Sequence, residues 1–317
     1  MNSKLILVLA LAATLAAQDR PRRPRVEPMD GEINTTTRPG EVVLSAPLTV
    51  EKLGLKTPEC VLHDEVADLY LISNIHGAPT EVDGNGFISR MKPDGTIENL
   101  MWIQGGKNGV VLDAPKGMAI VKDTLYVADI TFVRKFDRKT GKALGSIAVK
   151  GASFLNDICA QQDGTLLVSD SGFKPDFSDS GTDALIKIGS DDKVTVQALP
   201  QRKPNGVCVL PSGAHCYVTW TTGELFADTE SGSKSLGKLP KAQLDGIVAL
   251  DENTFLISSW EGKCIYRVAR AAGKDTLTVT ELATKLEAPA DLGYDKKRKR
   301  VLVPLFTEDK VVILPMR

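Results

Sequence analysis

Soft metal-binding side chains are scarce in this chain. Its 317 residues include three scattered histidines and five cysteines, Cys60, Cys159, Cys208, Cys216 and Cys264. No two cysteines form a Cys-x-x-Cys pair, which argues against a zinc site. The odd number means that at least one is free or pairs between chains, and Cys159 and Cys208, inside equivalent strand patterns, read as small apolar fillers. Charge of one sign is missing too: 39 Lys plus Arg stand against 40 Asp plus Glu, a formal net charge of −1. No global field therefore favours nucleic acid or an anionic membrane, and a small-molecule substrate is the expected partner. Beyond the N-terminus no apolar run is long enough to cross a bilayer, so the mature chain has no stable membrane span. No segment shows a convincing helical period.

The N-terminus carries what is present in place of these. Met1-Asn2-Ser3-Lys4 leads an apolar run from Leu5 to Ala13, and Ala16-Ala17 precede a polar break. This pattern reads as a secretory signal peptide, residues 1–17, and implies a secreted or periplasmic protein in which disulfides are permitted. A membrane anchor is the alternative, but the run is shorter than the ~20 residues that a span needs. Residues 18–40, with Arg20-Pro21-Arg22-Arg23-Pro24-Arg25, read as a flexible leader or else as a polybasic tag. Residues 41–317 remain for the folded domain.

Within that domain one pattern recurs every ~40–55 residues. A polar residue, often after Pro or Leu, opens an apolar strand; a turn follows, and then a β-branched second strand. The second strands read Leu69–Asn74, Leu125–Asp129, Leu166–Asp170, Cys216–Trp220, Phe255–Trp260 and Val301–Leu305, with third strands such as Gly86–Met91, Ala184–Ile188 and Cys264–Val268. Short strands at even spacing without helices predict an all-β fold, a six-bladed β-propeller. A two-sheet sandwich would not explain a blade-length period. The last repeat runs out after Leu314, while strand-like segments within Glu41–Val50 belong to no repeat. The N-terminal strand is therefore expected to complete the last blade and close the ring.

In a propeller the first residue of each innermost strand sits at the channel mouth. Those residues are Glu59, Lys116, Asn156, Asn205, Asp245 and Ala290. Any one of them taken singly reads as a turn former. Their common repeat position sets two carboxylates and two amides, Glu59, Asn156, Asn205 and Asp245, around one point. An oxygen-only set of that kind suits a hard cation, Ca2+ or another divalent ion.

The order Pro58-Glu59, Asn156-Asp157, Pro204-Asn205-Gly206, Asp245-Gly246, each opening a successive oxygen-bearing blade, resembles the six-bladed calcium propellers of the gluconolactonase, regucalcin and diisopropyl-fluorophosphatase superfamily. The resemblance implies Glu59, Asn205 and Asp245 as calcium ligands and Asn156 as ligand or substrate contact, with hydrolysis of lactones or, in some branches, phosphorus esters. Where sugar-lactonase members commonly carry Arg, this chain has Phe154, which puts an aldonolactone substrate in doubt. Asp245 is the candidate catalytic residue, as base or nucleophile. Substrate contacts are expected from Lys116, His76, Trp220 and Trp260 besides Asn156, and Asp157 reads as a strand-turn residue or else as a carboxylate behind the ion's ligands. The competing reading is a non-catalytic propeller that binds a ligand or protein and uses its cation structurally; repeat two looks like the repeats of such propellers.

Overall fold

The computed structural model describes residues 44–316 except 201, 230–231 and 272–275. The expected signal peptide and leader, and residues 41–43 of the expected domain, lie outside them. Every assigned element among the described residues is a β-strand, and the strands form six separate four-stranded antiparallel sheets. Blades one to five use consecutive strands, spanning residues 58–104, 115–148, 155–198, 204–238 and 244–284. Blade six takes three strands from residues 293–315 and its outermost from Leu48–Val50, which pairs antiparallel with Lys310–Pro315 through Leu48↔Ile313, Thr49↔Val312 and Val50↔Val311. The expected closure is therefore present, and separate sheets exclude the sandwich. No helix among the described residues is long and apolar enough to cross a membrane.

The alternating strands present apolar side chains to both neighbouring blades, so the core lies between blades rather than within one layer. Each of the six blade interfaces has its own cluster of buried side chains. A ring broken at any interface would expose two such faces, which is why closure carries so much of the stability. At the seam between blades one and six, Val50, Tyr70, Ile72 and Ile313 pack together. Polar groups reinforce it: Tyr70 Oη donates to Asp295 at 2.6 Å, and Arg298 bridges Asp68 and Asp295.

Candidate functional site

The mouth residues owe their direction to a bulge repeated in each innermost strand. Pro58, Pro115, Leu155, Pro204 and Leu244 pair with the end of the second strand, pairing then lapses for two residues, and it resumes at Val61, Met118, Ile158, Val207 and Ile247. Pro289 pairs with Leu305 at the same place in blade six. A bulge of this sort bends the strand and re-aims side chains. Its first residue, namely Glu59, Lys116, Asn156, Asn205 or Asp245, faces a cavity at the mouth. The second falls deeper in the channel, where Asp157 and Asp291 line the opposite opening.

Amides freed from the ladder need other acceptors. Serines of the second strands supply them, accepting from Cys60 (Ser73 Oγ, 2.9 Å), Asp157 (Ser169 Oγ, 3.0 Å) and Gly246 (Ser258 Oγ, 2.8 Å). The incoming loops are caught by the last second-strand residue: Asn74 accepts from Lys56 N, Asp129 from Ala114 N and Asp170 from Phe154 N. Blades meet closely here. A Cβ at Gly206 would lie 2.3 Å from the Asp245 carbonyl oxygen, so that slot admits only glycine.

Glu59, Lys116, Asn156, Asn205 and Asp245 are all buried beneath a cavity of about 320 Å³. Glu59 Oε2 and Asp245 Oδ1 are buried without a hydrogen-bond partner. Burial first, and then the Asp245 charge, hold the Glu59 carboxyl well above the usual range. Burial likewise pushes Asp245 up to about 7. Trp260 Nε1 lies beside Asp245 and opposes that rise without completing a well-formed hydrogen bond, and an Asn205 contact helps. Asn156 Nδ2 donates to Ser171 Oγ at 3.0 Å, which fixes its amide and leaves Oδ1 available. Two buried carboxylate oxygens lacking a hydrogen-bond partner, with two amides beside them, suit a hard divalent cation. Among the described residues no group of three or more His, Cys, Asp or Glu side chains could hold a metal, and the mouth set differs from that type in using amides.

Lys116 is the exception in the ring. Its Nζ donates to Ala114 O at 3.0 Å and sits over the Phe154 ring, 4.6 Å from the centroid. Burial pushes its pKa down to about 8 against the pull of Glu59 and Asp129. Below the ring, Asp157 accepts from Val207 N at 2.7 Å and Ile158 N at 2.6 Å, pinning blade three to blade four. This matches the strand role expected for it.

Trp220 and Trp260 line the cavity as expected, in edge contact at 5.2 Å between centroids. His76 does not reach it: the ring is exposed, edge-on to Phe87, and Ile75 and Pro79 of the same segment line the cavity instead. Sequence reasoning missed Phe173, Phe177 and Phe306 as lining residues. The first two lie on the long second-to-third-strand loop of blade three, and loop length was the available signal.

No protein-family model matches the chain, and no curated protein matches it. Among solved structures it is similar to a gluconolactonase from Xanthomonas campestris, with a TM-score of 0.64 and 16% identity over 86% of this chain and 89% of that one. It is also similar to a streptogramin B lyase (TM-score 0.60, 13% identity, 86% and 98% covered). A virginiamycin B lyase from Staphylococcus aureus, solved with quinupristin, gives a TM-score of 0.57 at 15% identity, with 82% and 80% covered. At such identity the likeness is one of fold, and the six-bladed ring matches the superfamily that the sequence resembles.

Proposed function

We propose that the protein is an exported calcium-dependent hydrolase of lactones or related esters that works at the propeller mouth. The observation that carries this reading is the pair of buried, unpartnered carboxylate oxygens, Glu59 Oε2 and Asp245 Oδ1, facing a ligand-sized cavity. Glu59, Asn156, Asn205 and Asp245 would hold the ion, whose chemistry when bound is Lewis-acid stabilisation of charge on a carbonyl oxygen. Asp245, steadied by Asn205 and Trp260, is placed to take a proton from water as the water oxygen attacks the carbonyl carbon. The acyl C–O bond then breaks, and the same proton passes to the departing alkoxide. Lys116 sets a cation at the cavity floor, where it can hold a carboxylate product, and Trp220 and Trp260 exclude water. A panel of lactones and aryl esters, assayed with chelator and after calcium is restored, tests the reading. Hydrolysis that disappears with chelator and returns with calcium supports it; no hydrolysis at saturating calcium overturns it.

One observation favours a second reading, a non-catalytic binding propeller. Lys116 already brings positive charge toward Glu59, so the ring has partial neutralisation of its own. Ligand binding without turnover would select this reading.

A further inference from the structure

The walls of the mouth cavity are chemically unlike its floor. Every polar group except the tryptophan N–H lies on the floor, while the sides are aromatic and aliphatic. Two aromatic triads line it. Trp260 contacts Trp220 and Phe306 at centroid distances of 5.2 and 5.1 Å, and Phe154, Phe173 and Phe177 lie 5.7 to 6.3 Å apart.

The second triad is held in place by dedicated contacts. Residues 172–183 fold back on themselves through a Phe173↔Asp179 bridge, with Phe177 N donating to Lys174 O at 2.8 Å at the tip. The buried Lys203 ammonium straps this segment down, donating to Gly172 O at 2.8 Å, to Asp183 at 2.9 Å and to Asp179. Ser153, Ser180 and Thr182 hydroxyls tie its far side to the segment leading into the innermost strand. Phe177 stands at the tip with φ 59°, a left-handed conformation costly for a bulky residue, and the residue is 55% exposed while lining the cavity. Packing alone does not call for an apolar ring in that position; an apolar ligand beneath it does.

We infer that the substrate is an apolar lactone or ester, a ring or short ester bearing an alkyl or aryl substituent, with Phe177 as a specificity-determining residue. This rests on the hydrolase reading above. The polar side chains are confined to the floor, so the hydroxyls that a polyhydroxylated lactone turns toward the aromatic walls would be buried with nothing to bond. Each such hydroxyl is expected to cost about tenfold or more.

The test pairs a phenyl-substituted δ-lactone with a polyhydroxylated δ-lactone of the same ring size, in full-length wild type and Phe177→Ser. Phe177 is exposed enough that its loss leaves the fold intact. The phenyl lactone is expected to have a kcat/KM at least ~100-fold higher, and Phe177→Ser to reduce that preference about tenfold, mainly through KM. Binding of the matching phenyl δ-lactam, which resists hydrolysis, is followed in parallel by calorimetry and should weaken about tenfold in Phe177→Ser. Turnover favouring the hydroxylated lactone overturns the apolar assignment and leaves the hydrolase reading standing. Tight lactam binding without lactone turnover supports the apolar site while removing the hydrolase reading. Lactam affinity unchanged by Phe177→Ser overturns the role of that residue.

Discussion

Removing calcium should make the stability of this protein fall as pH rises. Without an ion, Glu59 and Asp245 at the mouth and Asp157 and Asp291 deeper in the channel face one ammonium among these residues, Lys116, all of them buried. Burial raises Asp245 from 3.8 to about 7 and Asp157 to about 6. An acid whose folded pKa is raised keeps its proton in the native state after the unfolded chain has released it. Stability is therefore full below the unfolded pKa and is lost as pH climbs toward the folded one. For Asp245 alone the displacement corresponds to roughly 4 kcal/mol, and Asp157 has the same sign. Lys116, pushed down to about 8, acts in the opposite sense only above that pH. Urea denaturation in chelator should thus show a loss of a few kcal/mol between pH ~4 and ~7, and saturating calcium should abolish most of that slope. Flat stability in chelator across this range, or a slope that calcium leaves untouched, would refute the reasoning.

Asp245→Asn should keep the fold while lowering hydrolysis on the order of 100-fold or more, with calcium affinity measured alongside by calorimetry, because a lost carboxylate also weakens the ion. Ser169→Ala removes the acceptor of the buried Asp157 amide and should destabilise by about 1–3 kcal/mol in chemical denaturation. Val50→Asp puts a charge into the closing seam, where Val50 is 4% exposed, and should cost about 3 kcal/mol or more, read as a lowered Tm.

The ring was legible because β-branched second strands repeat with unmistakable spacing, and because the unassigned segment ending at Val50 had one logical partner, the strand ending the chain. The four oxygen-bearing mouth residues were legible for a related reason. A bulge that must aim one side chain inward and let the next blade approach leaves the Asn205-Gly206 and Asp245-Gly246 pairs in the sequence. Asp291 escaped notice since the sixth mouth residue is Ala290, and the carboxylate arrives one position later, in the deeper slot. Loops carry no period, so the sequence could set His76 on the correct face but not turn its ring toward the cavity; with φ at 60° its ring is exposed beside Phe87. The same limit hid Phe173 and Phe177. Burial, which fixes the protonation of the ring, belongs to the assembled blades and to no single repeat.

A crystal structure grown with calcium, with anomalous scattering recorded, bears most directly on the central claim. One strong peak is expected at the mouth, with Glu59, Asn156, Asn205 and Asp245 oxygens at roughly 2.3–2.6 Å. A mouth without a peak, where the Lys116 ammonium has swung in to pair with Glu59 and Asp245, would contradict it.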